Sequence, residues 1–217
     1  MKKTWILVLL CIATVAVSVR LMIIENSRPE GTMDASQEVI DCIMTRASVR
    51  KYKPKPVNDS IITTIVKAGM ASPTAADQRA WHFVVITDQA LKDSISDSFQ
   101  WMKMVEGCAF AVVVCGDMDK LFDGDREDGG FWVQDCSAAS ENMLLAAHAL
   151  GLGGVWCGVY PNGDRVEKLA EILNLPNILR PLNVISFGYP EVPVAPKDKW
   201  NPEQVTYNEF LDSRGQK

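Results

Sequence analysis

Residues 109–115 (Ala109-Phe110-Ala111-Val112-Val113-Val114-Cys115) carry no charged or strongly polar side chain. A strand turns alternate side chains to opposite faces, so a run apolar on both phases reads as a strand buried on both sides. Such a strand has to lie inside a sheet that other elements cover. The longest apolar helix pattern, residues 134–150 with Met143, Leu144, Leu145, Ala146 and Ala147, is therefore expected at the centre of the fold.

Other periodicities surround these two. Residues 37–44 set Val39, Ile40, Ile43 and Met44 on one helical face, and residues 60–70 do the same with Ile61, Ile62, Ile65, Val66 and Met70. Asn58, Asp59 and Ser60 are N-cap candidates for that second helix. Residues 81–87 read as a strand, 89–102 as a helix, and 154–159 and 184–187 as strands. Between the last two, residues 164–173 read as a helix, with Asp164 and Glu167 at the spacing of a capping box. Mixed helices and strands over 217 residues predict an α/β or α+β sandwich around one sheet.

A net charge of -5 argues against nucleic-acid binding, which needs clustered basic charge. Residues 1–24 read as a signal peptide or an N-terminal membrane anchor: Lys2 and Lys3 precede an apolar stretch from Trp5 to Val19, and Ala16 and Ser18 offer small residues for cleavage. This predicts an exported, periplasmic or membrane-anchored protein, attached to the membrane through its N-terminus if the leader is retained. Residues 25–32 read as a linker and residues 33–217 as the folded domain. Cys42, Cys108, Cys115, Cys136 and Cys157 sit in apolar contexts without a CxxC pair, the pattern of buried thiols rather than of disulfides or zinc ligands. With only His82 and His148 available, no metal site is expected, and His148 reads as a core or edge histidine.

The candidate site begins at Arg46, Ser48 and Arg50, where a helix gives way to an extended segment before Pro54 and Pro56. In extended backbone these three side chains share one side, and two guanidinium groups with a hydroxyl make a seat for a phosphate or another anion. The alternative is a solvated basic turn. Gly151-Leu152-Gly153-Gly154 lacks the GxGxxG spacing and runs from helix into strand, against the order of a dinucleotide fold. Gly151 reads instead as a helix stop, and Gly158 as a point where backbone approaches something flat. The acidic stretch 117–130, with Asp119, Asp123, Asp125, Glu127 and Asp128, reads as a solvated lid rather than a calcium loop.

Taken in order, Arg46-x-Ser48-x-Arg50-x-Tyr52, the run from Ala71 through Ser72, Pro73, Thr74, Ala75, Ala76 and Asp77 to Trp81-His82-Phe83, the helix from Ala147 into Gly151 and on through Trp156-Cys157-Gly158, and Phe187-Gly188-Tyr189-Pro190 resemble the nitroreductase family of flavoproteins. The resemblance implies an α+β fold: a three-layer α/β/α sandwich with a mixed, mainly antiparallel central sheet, in an intertwined homodimer with FMN at the subunit interface. By the same resemblance Arg46 and Ser48 contact the FMN phosphate and ribityl chain, and Arg50 stands by the flavin's pyrimidine edge. Lys197 and Lys199 reach the phosphate, and Trp156, Cys157 and Gly158 pass along the isoalloxazine. Ser72, Pro73, Thr74, Ala75 and Asp77 come from the other subunit. This chain departs from the family loop, which commonly has an amide where Asp77 stands; an ionised carboxylate accepts but does not donate. The implied activity is hydride transfer from NAD(P)H through flavin N5 to a nitroaromatic, quinone or similar small acceptor, with ping-pong kinetics and no catalytic side chain. A reductive dehalogenase, a flavin-fragmenting enzyme and a non-catalytic exported flavin-binding protein remain as alternatives.

Overall fold

The computed structural model describes residues 32–122 and 130–208. The leader read at residues 1–24 therefore lies outside the described residues. The chain divides into two compact units, Met1–Ile43 and Met44–Lys217. Helix α1 spans Thr32–Thr45. In the first unit its Val39, Ile40 and Ile43 are exposed, an apolar stripe facing outward. Among the described residues no helix is long and apolar enough to cross a membrane.

The second unit is built on four strands: β1 (Trp81–Ile86), β2 (Phe110–Asp117), β3 (Gly153–Gly158) and β4 (Leu179–Gly188), in the spatial order β1-β2-β4-β3. All three strand pairs are antiparallel; an isolated bridge from Ser48 to Gly154 is parallel. Of the apolar run read at residues 109–115, residues 110–115 are buried within β2, between β1 and β4, and Ala109 is half-buried just before it.

Alternation along β2 builds the two faces. Phe110, Val112 and Val114 join Ile185 and Phe187 of β4 beneath α2 (Asp59–Met70) and α4 (Phe131–Ala149), packing on Ile62, Ile65, Trp132, Cys136, Ala139, Met143 and Ala147. Ala111, Val113 and Cys115 face the other way with Val184, Val155 and Cys157, against Ile95 of α3 (Gln89–Ser98), Leu169 of α5 (Gly163–Leu173) and Phe99, Met102 and Val105 between them. Helices on both faces of one sheet make a three-layer α+β sandwich. Each fully buried Ile, Leu or Phe stabilises it by about 1.5–3 kcal/mol. Phe110 and Phe187 stack across the central pair with centroids 5.0 Å apart.

Three boundaries differ from the sequence reading for identifiable reasons. Helix α3 stops at Ser98 because Phe99, extended at φ -129° and only 3 % exposed, turns into the core; a 3-10 turn, Gln100–Val105, follows. Helix α5 is capped by Asn162, whose side chain accepts from Arg165 N, not by Asp164. Strand β4 starts at Leu179 rather than near Val184. There Pro181 sits opposite Cys115 of β2, beside a register irregularity of the β2–β4 ladder, where a strand tolerates a residue without an N–H. Asn58 caps α2 by accepting from Ser60 N, and just after the end of α4 the chain turns at Gly151, φ +77°, where glycine has no Cβ to strain.

Candidate active site

After α1 the backbone becomes extended and docks on the sheet's edge. Val49 N donates to Gly154 O at 3.1 Å, Lys53 N to Tyr189 O at 2.8 Å, and Glu191 N to Lys51 O at 3.0 Å. Extended geometry sends Val49 inward, 5 % exposed, and leaves Ser48 and Arg50 on the outer side. Tyr52 locks the segment: its hydroxyl donates to Val49 O at 2.7 Å and lies 2.8 Å from Ser186 Oγ. Burial raises that phenol well above its ordinary value, so it stays neutral; the Ser186 contact and the charge of Arg50 oppose the rise.

Arg46, Ala47, Ser48 and Arg50 line a cleft of about 300 Å³ whose other side is Val194, Ala195, Lys197 and Lys199. Two stretches almost 150 residues apart in the chain thus bring two guanidinium groups, two ammonium groups and a hydroxyl to one concavity. Gathering like charges is unfavourable unless an anion offsets them. Among the described residues no carboxylate lines the cleft. Glu141 of α4 touches it indirectly, accepting from Arg46 Nε at 3.1 Å.

Strand β3 runs beside this segment. Trp156 is half-buried, Cys157 is 5 % exposed and Gly158 is exposed. A Cβ added to Gly158 would meet no atom within 4 Å, so open space lies over that backbone. The Cys157 thiol, 3.7 Å from Met104 Sδ, is pushed up to about 11 by burial, with the charge of Arg50 pulling weakly the other way. The same burial raises Cys108 to about 11 and Cys115 to about 12, and it raises Cys136 as well. None of these thiols is suited to act as a nucleophile.

The loop after α2 does not line the cleft of its own chain. Ser72 is buried and its hydroxyl donates to Gly69 O at 2.9 Å, closing the helix end. Pro73 leads into Thr74, whose Oγ1 accepts from Arg79 N at 3.2 Å; Ala75 N donates to Asp135 Oδ1 at 3.0 Å. Ala76, Asp77 and Arg79 all have positive φ, at 47°, 55° and 53°, a left-handed cluster costly for residues with a Cβ. Holding it is a bidentate pair, Arg79 Nε to Asp77 Oδ1 at 2.8 Å and Arg79 Nη2 to Asp77 Oδ2 at 2.7 Å. The Arg79 hydrogen bond keeps the Asp77 carboxyl below the usual range. Trp81 is core, 8 % exposed.

The model of the Nitroreductase family matches residues 43–107 and 99–189, most of the chain and all of the sheet. The chain belongs to the Nitroreductase family. A protein of Methanothermobacter thermautotrophicus named for NADH dehydrogenase and NAD(P)H nitroreductase activity is 39 % identical over 79 % of this chain and 87 % of its own. A crystal structure from Parabacteroides distasonis, named in the same way, is 41 % identical, covers 80 % of this chain and 99 % of that one, and superposes with a TM-score of 0.74. An FMN-dependent nitroreductase of Clostridium difficile is 26 % identical, with 79 % and 99 % covered and a TM-score of 0.70.

Within this nitroreductase frame two features escaped the sequence reading. Glu141 is one more polar residue on a long helix, and only the tertiary contact singles it out. Val194 and Ala195 form apolar wall where no motif lies. Of the acidic stretch 117–130, residues 123–129 lie outside the described residues. Asp117 is buried and pairs with Lys120 at 2.8 Å, and Phe122 and Phe131 meet edge-on at 6.0 Å on either side of the undescribed part. His148 is half-buried, with Nε2 2.9 Å from Thr45 Oγ1, an edge histidine. Among the described residues no cluster suits a metal ion.

Proposed function

We propose that this nitroreductase-family chain is an NAD(P)H-dependent oxidoreductase that holds FMN with its phosphate in the cleft between Arg46 and Lys199. One observation carries the reading: the convergence of Arg46, Ser48, Arg50, Lys197 and Lys199 on a single concavity beside β3. A phosphate dianion offsets the repulsion among those cations, and guanidinium forks suit its oxygens. The site's chemistry thus fits the cofactor for which the Clostridium difficile nitroreductase is named.

Bound FMN would supply the redox chemistry, accepting a hydride from NAD(P)H and passing reducing equivalents to a small acceptor such as a nitroaromatic or quinone in a ping-pong sequence. Arg46, Ser48, Lys197 and Lys199 would seat the phosphate and ribityl chain. Arg50, whose charge reaches Cys157, would stand at the pyrimidine edge, where a fixed cation favours the negative charge of the reduced ring. The open backbone of Gly158 gives a flat group room to approach. No side chain is assigned as acid or base, because an exposed acceptor takes protons from water.

The reading includes a homodimer. Exposed apolar side chains on α1 (Val39, Ile40, Ile43, Met44) and in the C-terminal stretch (Trp200, Val205, Tyr207) supply surface that a second copy would bury. Ser72, Pro73, Thr74, Ala75 and Asp77 would then complete the partner's flavin site. The test is a visible spectrum of the purified protein before and after anaerobic NADPH or NADH. A flavin spectrum that bleaches supports the proposal. Bound FMN that neither nicotinamide reduces favours a non-catalytic flavoprotein, and failure to bind FMN overturns the reading.

A further inference from the structure

Of the cleft's cations, Arg46 alone has a carboxylate partner among the described residues: Nε donates to Glu141 Oε1 at 3.1 Å, with the side chains 18 % and 48 % exposed. A second contact from the same helix lies next to it, His148 Nε2 to Thr45 Oγ1 at 2.9 Å. Glu141 and His148 are about two helical turns apart, so one stripe of α4 grips two consecutive residues, Thr45 and the cleft-lining Arg46.

A carboxylate beside an anion site has two opposing effects. Its charge repels the ligand, and its hydrogen bond fixes the cation that receives it. Glu141 is half exposed and does not line the cleft, so water and salt screen the repulsion. Orientation is not screened. The contact is made at Nε, on the side of the guanidinium, and the Nη donors have no protein acceptor among the described residues. A long, rotamer-rich side chain is thereby ordered before any ligand arrives, which lowers the cost of binding.

We infer that Glu141 is a positioning residue for anion recognition: it holds Arg46 so that the Nη edge faces a phosphomonoester in the cleft. The inference rests on the FMN reading above, and it assigns to α4 a part in choosing the phosphorylated flavin over the unphosphorylated one. Orientation and repulsion predict opposite signs, so a binding experiment separates them.

The experiment titrates full-length apoprotein with FMN and, separately, with riboflavin, following flavin fluorescence. It uses wild type, Glu141→Ala, Glu141→Gln and the double variant Lys197→Ala/Lys199→Ala, with circular dichroism to confirm that each is folded. Loss of one orienting hydrogen bond should raise the FMN Kd of Glu141→Ala roughly fivefold and leave the riboflavin Kd within about twofold of wild type. Glu141→Gln keeps an oxygen that can accept from Nε and should recover most of the loss. Tighter FMN binding by Glu141→Ala would make repulsion the dominant effect and overturn the inference. Equal weakening toward both flavins would mean a merely structural contact, and an unchanged FMN Kd would mean no role; either also overturns it. The lysine double variant tests the parent reading by itself: if it binds FMN as wild type does, the cleft is not the phosphate seat.

Discussion

Gly153 lies directly beneath Val49: a Cβ on the glycine would overlap the valine's Cγ2. Val49 is the inward residue between Ser48 and Arg50, so this close approach sets how near the cation-bearing segment runs to β3. Placing even one methyl there separates two elements that jointly build the site.

Gly153→Ala is therefore expected to lower stability by about 1–3 kcal/mol, the usual cost of overpacking a tight contact. Chemical denaturation measures it. Gly158→Ala, whose Cβ meets open space, is the matched control and should cost much less.

Tyr52→Phe removes the hydroxyl that bonds Val49 O and Ser186 while preserving the ring over Gly188. Loss of these bonds should cost about 1–2 kcal/mol. Thermal unfolding of the variant provides the check.

The thiols give stability a signed dependence on alkaline pH. Burial raises Cys108 and Cys157 from 9.0 to about 11, so the folded chain keeps protons that the unfolded chain loses. Their contribution is whole below pH 9 and declines as pH rises toward about 11. Melting temperature should fall across that window, and replacing both residues by alanine should flatten the slope. At pH 8 the native protein should resist thiol reagents at Cys108, Cys115, Cys136 and Cys157, and among the described cysteines half-exposed Cys42 should react first.

Asp77→Asn tests the departure from the family's loop. The Arg79 pair depresses the Asp77 pKa, so the pair is intact at neutral pH and weakens only as pH falls through that lowered value. Both side chains are well exposed, at 73 % and 67 %, and global stability should barely move. The strained turn at Ala76, Asp77 and Arg79 should loosen, seen as faster amide exchange across the loop.

How much of this was legible depended on the range of the determining contacts. Arg46, Ser48 and Arg50 could be grouped from sequence because extended backbone fixes which side chains share a face. The same alternation predicted β2 as a doubly covered strand. The onset of β4 was obscured by Pro181, which sits beside an irregularity of the β2–β4 ladder that only the strand pairing reveals. The Arg46–Glu141 pair spans 95 residues and leaves no local pattern. Phe99 ended a helix that periodicity alone would continue, because a buried pocket outweighed propensity.

The central claim is that cations from the two ends of the domain gather around one flavin phosphate, and Arg46 tests it most directly. Equilibrium FMN binding to Arg46→Ala should be weaker than wild type by about 1–3 kcal/mol, the worth of a charge-assisted hydrogen bond. An FMN affinity equal to that of wild type would contradict the account.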